Sequence, residues 1–382
     1  MFKKTAVAMA VAGAFGASIP AHAVPVGKDG TNEVYGFVNV SLDYSDVKNG
    51  GNAGNIFLPN ATSPGSAGAS NSSFQTGDQA NSRFGFKGSQ DLGNGLKAGY
   101  KIEIGLGTSG YNRGAPTEDT SHWDKRLAYV ELSGNWGTLR AGNTWGKLYE
   151  YLGYNTVRSY GFGGSTWYEA TRHLNYDTYG LRVSDSVEYD YGSGGYGSDP
   201  FTFSVQGIFA PPNNSIGGSG GNEHLTNAAG QALDNTNTLD AGTVAAAATF
   251  GSVTVNAAYY GENNPGNLPS PKLYGVGARF QVTKALMLSG TFMEVDRDNG
   301  TDKPQTVEVH GEYDFGNGIM GMLSYGHAKD NTDGDLNSYF ASVHKDLGMG
   351  TNLYIEAEHD NRNTSGPDPQ STIVSVGMIK YF

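Results

Sequence analysis

From residue 96 the chain reads LKAGYKIEIGL, in which Leu96, Ala98, Tyr100, Ile102, Ile104 and Leu106 alternate with Lys97, Gly99, Lys101, Glu103 and Gly105. Such period-two alternation puts every apolar side chain on one face of a strand and every charge on the other. The pattern recurs. Val307, Val309, Tyr313 and Phe315 alternate with Glu308, His310, Glu312 and Asp314, and Phe201, Phe203 and Val205 with Thr202, Ser204 and Gln206. A soluble sandwich would bury the apolar face in a core. A membrane barrel would turn it toward lipid and line water with the other face.

Alternation between turn signals predicts strands over 34–44, 82–88, 96–106, 126–133, 138–142, 183–191, 201–209, 243–250, 253–260, 273–282, 285–295, 306–313, 319–328, 336–345, 353–359 and 372–382. Their connections sort by parity: odd ones are long and polar, even ones mostly about two to five residues. A sandwich has no reason to sort loops in this way. An all-β, antiparallel transmembrane barrel of about sixteen strands does, with short periplasmic turns and long external loops. Asp-(Leu/Phe)-Gly-(Asn/Met)-Gly recurs at Asp91, Asp314 and Asp346 as a hairpin turn. The 57 glycines, 23 tyrosines and 17 phenylalanines also argue against a helical fold. At this strand number the barrel encloses an aqueous channel. Tyr35, Tyr44, Tyr100, Tyr259, Tyr313, Tyr381 and Phe382, near strand ends, are expected to form interfacial girdles.

The first residues, MFKKTAVAMAVAGAFGASIPAHA, combine Lys3 and Lys4, an apolar run and Ala21-His22-Ala23. They predict a secretory signal peptide over 1–23, leaving 24–382 as the barrel domain. Taking Lys3 and Lys4 from 25 basic residues leaves 23 against 37 acidic ones, which argues against nucleic acid as a partner. There is no cysteine, so no disulfide framework.

The segments SRFGFKG (82–88), DLGNGLKAGYKIEIG (91–105), RLAYVELSGNWGTLRAGN (126–143) and the terminal VGMIKYF resemble the general trimeric porins of Gram-negative outer membranes, particularly the neisserial and betaproteobacterial type. That resemblance implies a sixteen-stranded homotrimeric channel, with outer-membrane lipid and lipopolysaccharide around it and no cofactor. Ions and small hydrophilic solutes would pass. It also implies a third external loop, here 144–179, folded inward to narrow the pore; its aromatic content is unlike a solvated linker. By position, Arg83, Arg126, Arg140 and Arg182 are the expected basic wall of the constriction, with Arg126 nearer the outer mouth. Glu150, Glu169 and Asp177 are the expected acidic loop groups, interrupted by Lys147, Arg158 and Arg172. Phe37 and Asn143 stand where relatives carry basic residues. Val374, Val376, Met378 and Phe382 resemble the signal read by the barrel assembly machinery, with Lys380 where an aromatic is common.

Other motifs fail on context. Gly105 to Gly110 fits G-x-G-x-x-G, but no helix follows; GGSGG at 217–221 fits G-x-S-x-G only because its loop is glycine-rich. The histidines show no metal-ligand spacing. Asp330, Asp333 and Asp335, and Asp296 and Asp298, are candidates for Ca²⁺, with a solvated loop favoured over a site. The leading reading is a passive diffusion channel. The alternatives are a substrate-selective porin, a barrel enzyme drawing on Ser289, Ser324, His310 and His327, or an adhesin. Inward carboxylates (Glu103, Glu188, Asp190, Glu308, Glu312, Glu356, Glu358) give the expectation of a weak preference for cations, against the pull of Arg83, Arg140 and Arg182.

Overall fold

The computed structural model describes residues 24–26, 31–49, 71–78, 80–106, 123–155, 165–172, 174, 181–194, 199–209, 239–264, 269–298, 300, 303–331 and 334–382. The 1–23 segment, Asp177, Arg158, Asp333 and the 217–221 glycines lie outside them.

Sixteen antiparallel strands close into one barrel. They are β1 (Asn32–Lys48), β2 in two pieces (Asn71–Gly77 and Arg83–Gly93), β3 (Leu96–Leu106), β4 (Trp123–Gly134), β5 (Gly137–Trp145), β6 (Arg182–Tyr191), β7 (Phe201–Ile208) and β8 (Ala241–Phe250). There follow β9 (Val253–Glu262), β10 (Lys272–Gln281), β11 (Leu286–Asp296), β12 (Gln305–Gly316), β13 (Ile319–Lys329), β14 (Asp335–Gly348), β15 (Thr351–Asn363) and β16 (Gln370–Tyr381). Each strand pairs with its neighbours in sequence, and β16 returns to β1 from Gln370↔Lys48 to Tyr381↔Phe37. Phe382 completes the seam by exchanging two backbone hydrogen bonds with Gly36, 3.0 and 3.1 Å. Closure leaves no unpaired edge, which a lipid-embedded sheet requires. A short strand, Val24–Val26, pairs with the start of β1.

The three Asp-x-Gly-x-Gly turns share one geometry. The Asp91, Asp314 and Asp346 carboxylates accept the N–H groups of Gly93, Gly316 and Gly348 at 2.7, 2.8 and 2.7 Å. The ladder shifts register at each, and Gly93 sits at φ +87°, a left-handed conformation natural to glycine.

The faces are inverted relative to a soluble protein. On β1, Val38, Val40 and Leu42 are 41–50% exposed, while Asn39, Ser41 and Asp43 are buried. On β7, Phe201 and Val205 are exposed, and Thr202, Ser204 and Gln206 are buried. A continuous band of exposed Val, Leu, Phe and Tyr is stable only against hydrocarbon. Two expected girdle residues face the lumen instead. Tyr35 donates its hydroxyl to Glu103 at 3.0 Å, and Tyr381 packs edge-on against Phe37 with ring centroids 5.3 Å apart. Both share the phase of the polar face, and proximity to a strand end did not reveal that.

Candidate functional site

After β5 the chain enters the barrel. The third loop forms α1 (Lys147–Tyr151), a 3-10 turn (Gly153–Asn155) and α2 (Ser165–Thr171). Leu148, Tyr151 and Leu152 are fully buried against inward residues of β8 to β11, among them Ala245, Ala247, Ala258, Leu273 and Met293. The alanine run of β8 therefore has a use: its small inward side chains leave room for a helix. Missing side chains on the wall serve the same end. A Cβ at Gly275 would meet Leu152 at 2.2 Å, one at Gly277 would meet Asn155 at 2.2 Å, and one at Gly326 would meet Thr166 at 2.5 Å.

Polar bonds fix the loop along its length. Tyr151 Oη and Ser204 Oγ are 2.7 Å apart, Asn155 donates to Asn256 at 2.8 Å, and Thr166 donates to Glu308. At the far end Glu169, fully buried, is held by Arg362 of β15 at 2.5 Å and by Arg172 at 2.6 Å. Arg172 also reaches Asp330 at 3.3 Å, which binds Arg297 as well. Asp330 is thus buried and shared by two arginines rather than solvated; it anchors the loop. Asp296 pairs with Lys303 at 2.9 Å. Among the described residues no cluster of potential ligands could hold a metal ion.

With the loop against β7 to β15, the part-open inward charged side chains lie at Glu33 of β1 and on β2 to β5, among them Lys87, Lys101, Glu131 and Arg140, whereas inward Asn39, Ser41 and Asp43 of β1 and Ile373, Ser375 and Ile379 of β16 are buried. On β3 Glu103 is a hub: Arg126 Nε donates to it at 2.7 Å, and Arg83 and Lys101 approach to 3.6 and 3.9 Å. Arg126 reaches it through a bulge in which Glu103 faces Leu127 while Ile104 faces Lys125, leaving Arg126 the extra residue. It therefore stands beside Arg83 on the same carboxylate. The Arg83 guanidinium also lies 4.6 Å over the Phe37 ring. Formally this group carries three positive charges and one negative.

Next to it, Arg140 binds Glu131 at 2.8 Å, Glu188 at 3.0 Å and Asp190. Lys147, at the start of α1 and fully buried, binds Glu150 at 2.6 Å, Asp190 at 3.0 Å and Glu188 at 3.1 Å. Two cations here face four carboxylates. Burial opposes charge on Lys147, yet Glu150, Glu188 and Asp190 together hold its ammonium above the usual lysine range. Burial also holds Glu150 above the usual glutamate range; Lys147 pulls the other way, and Asp190 and Glu188 add to the rise.

Of the expected constriction residues, Arg83 and a buried Arg126 meet on Glu103, Arg140 and Glu150 belong to the group around Lys147 and Asp190, and Glu169 is buried in the anchor. Arg182 does not join them. The ladder slips between Gly142 and Thr144, and Asp185 takes φ +51°, so Val183 rather than Arg182 faces inward opposite Thr144. Arg182 lies 6.0 Å over the Trp145 ring. Alternation alone cannot register a bulge. Phe37 and Asn143 serve the basic wall indirectly: Phe37 carries Arg83, and Asn143 donates to the Arg126 carbonyl at 3.0 Å. Lys147, expected only to interrupt the acidic loop residues, is instead central to them, and local alternation does not mark Glu131, Arg362 or Lys101 as members of the site, although Lys101 sits in the charged phase of LKAGYKIEIGL.

Six of the seven inward carboxylates counted toward cation preference are withdrawn from the pore; the seventh, Glu312, is 12% exposed. Glu103, Glu188, Asp190, Glu308, Glu356 and Glu358 are all buried, whereas the Lys87 and Lys101 side chains are 38% and 25% exposed. Ser289 and Ser324 flank His310 in the ladder, but among the described residues no hydrogen bond joins these serines and histidines to one another. Ser289 donates to the Asn155 carbonyl, Ser324 to Glu308, His310 lies 3.0 Å from Glu312, and His327 lies 3.0 Å from Asn337. Val374, Val376, Met378 and Phe382 share the outward phase of the last strand, and Val376 and Met378 are exposed.

A closed, inside-out barrel of this size with a folded-in third loop defines an outer-membrane channel protein. The chain matches the Gram-negative porin family over residues 5–365, and it belongs to that family. Over 294 residues, 64% of this chain and 77% of the relative, it is 26% identical to the major outer membrane protein P.IB of Neisseria gonorrhoeae. Over 149 residues, 38% of this chain and 37% of the relative, it is 32% identical to the same-named protein of Neisseria lactamica. The barrel is similar to the anion-selective porin from Comamonas acidovorans, with a TM-score of 0.65 and 17% identity over 92% of this chain and 99% of that one. It is also similar to Salmonella typhi OmpF, with a TM-score of 0.61 and 18% identity over 92% and 98%. Members of this family transport and do not catalyse; the chain is a channel rather than an enzyme.

Proposed function

We propose that the protein is a passive, water-filled pore for ions and small hydrophilic solutes. It works as a homotrimer, exported with removal of 1–23 and inserted by machinery that reads the terminal strand. Lipid and lipopolysaccharide surround the apolar band. The observation that carries the reading is the loop's position: it covers one half of the lumen and leaves the charged wall of β1 to β5 bordering the other. Passage then needs no moving part.

The two charged groups set the field. The Glu103 group, at a formal +2, faces the lumen beside the Arg140–Lys147 group, at a formal −2. A narrow section with low-dielectric walls weights such charges strongly, and at about 0.15 M salt their reach is only about 8 Å. Opposite charges cancel over that distance, so selectivity is weak. It leans toward anions, because Lys101 is a quarter exposed while its nearest carboxylate, Glu103, is buried, whereas the open Lys87 is matched by an equally open Glu33 and Arg140 by a part-open Glu131. This reverses the lean that carboxylate counting gives.

Planar-bilayer recording under a salt gradient tests the proposal. The expected result is discrete conductance steps with a small zero-current potential of anion sign. A folded barrel that gives no steps would overturn the channel reading. Ion steps blocked by a single solute at low concentration would favour the substrate-selective alternative.

A further inference from the structure

Tyr35 of β1, Gly85 of β2 and Glu103 of β3 stand in one cross-strand row of the inward face. The Tyr35 side chain crosses Gly85 and donates its hydroxyl to Glu103 Oε2 at 3.0 Å. Gly85 permits that path: a Cβ there would meet Cζ and Oη of Tyr35 at 2.7 Å. The other carboxylate oxygen is taken too, since Oε1 accepts Arg126 Nε at 2.7 Å and has Arg83 at 3.6 Å.

In the next inward row Lys87 and Lys101 are directly opposite each other. Like charges so placed repel and need counter-charges. Lys87 closes on Glu33 at 2.9 Å. Lys101 does not close on a carboxylate. Its ammonium stands 3.9 Å from Glu103 Oε2, the atom to which Tyr35 donates, and that is beyond hydrogen-bond reach. It lies instead over the Tyr35 ring, 5.1 Å from the centroid, with the Lys87 ammonium at 5.6 Å. A ring attracts a cation without neutralising it. The hydroxyl and the ring thus act together: one takes the oxygen, and the other holds the ammonium short of it. A quarter of the Lys101 side chain stays exposed.

We propose that Tyr35 is a positioning residue for ion selectivity, which keeps Lys101 from closing on Glu103 and so leaves one lysine charge open to passing anions. The inference rests on the channel reading and names the residue behind its anion lean. Lys101 and Glu103 are two residues apart on one face of β3, so an unoccupied Oε2 would let the lysine fold back onto the buried carboxylate, away from the water path.

The test is the zero-current potential under a potassium chloride gradient, read as a difference between variants. Lys101→Gln removes the charge and sets the full shift toward cations. Tyr35→Phe frees Oε2 but keeps the ring, and should give about half of that shift, because the ammonium is drawn back and not removed. Tyr35→Leu, which removes the ring as well, should give at least as much. Added to Lys101→Gln, neither Tyr35 change should move the potential further. A native potential in Tyr35→Phe would overturn the proposal. So would a Tyr35 shift that persists beside Lys101→Gln, because Tyr35 would then act on another group. Both results leave the channel reading intact, which fails only if no conductance steps appear. In that case acylation of lysines in the folded barrel, read by peptide mass spectrometry, decides. Tyr35→Phe should slow labelling at Lys101 severalfold and leave Lys87 as it was; equal labelling of Lys101 with and without the hydroxyl refutes the proposal. If Tyr35→Leu does not fold, Tyr35→Phe, which removes one oxygen, carries both measurements.

Discussion

Glu169→Ala removes the carboxylate that two arginines share at the far end of the pore loop. In the native protein Glu169 is fully buried, with Arg362 at 2.5 Å and Arg172 at 2.6 Å. Arg172 keeps Asp330 at 3.3 Å after the change, but Arg362 loses its ion-pair partner and keeps a 3.0 Å bond to the Gly334 carbonyl. Removing one member of a buried ion pair costs about 3–5 kcal/mol, chiefly through the charge left behind. Because Arg172 retains a partner, the lower end applies, about 3 kcal/mol, which multiplies the undocked fraction of the loop roughly 150-fold. The apolar seat of Leu148, Tyr151 and Leu152 is untouched, so the barrel and α1 stay folded. Single-channel recordings should show excess open-channel noise and excursions to higher conductance, with greater protease sensitivity around α2. Glu169→Ala with Arg362→Ala should be quieter than Glu169→Ala alone, since the stranded charge has gone. A folded Glu169→Ala channel with the native noise spectrum would show that the ion network does not hold the loop.

Two further outcomes follow from the same geometry, and a third from the likeness to trimeric porins. Deleting 149–168 should raise single-channel conductance, and an unchanged value in a folded variant would mean that the loop does not set the narrow section. Glu150 holds its proton to higher pH than an ordinary glutamate, so acidification discharges the acidic group first, starting above about pH 4.3. The zero-current potential should then move toward anions as pH falls, and Glu150→Gln should remove that early step. The same raised value means the docked loop binds its proton more tightly than the unfolded chain, so this group's contribution to stability grows as pH falls through the window. Gentle extraction should yield a heat-modifiable oligomer resistant to sodium dodecyl sulfate; cross-linking that finds only monomer would refute the trimer.

The barrel was legible because its signal is redundant: sixteen alternating segments and parity-sorted loops each repeat the same message. Strand bounds came within a few residues, except in β2, whose first piece (Asn71–Gly77) lies in what reads as a glycine-rich loop. The site was less legible where one residue changes a strand's phase. The bulge at Arg126 turned that side chain onto Glu103, and the slip near Asp185 exchanged Arg182 for Val183. Neither leaves a mark on local alternation. The anchor was illegible for another reason: Glu169 and Arg362 are 193 residues apart, and nothing in either segment names the other. Carboxylate counting gives every inward acid the same weight. Burial and pairing decide which of them a passing ion meets.

The absence of cysteine from the chain makes the central claim directly measurable. Solutes are held to pass between the loop and the β1 to β5 wall, and not behind α1. A single cysteine can be placed at Lys101, on the open wall, or at Ala258, 7% exposed beneath α1. A negatively charged thiol reagent added to open channels should modify Lys101→Cys rapidly and lower the current in discrete steps, and leave Ala258→Cys unmodified. Modification of Ala258→Cys as fast as Lys101→Cys would put the water path on the far side of the loop and contradict the account.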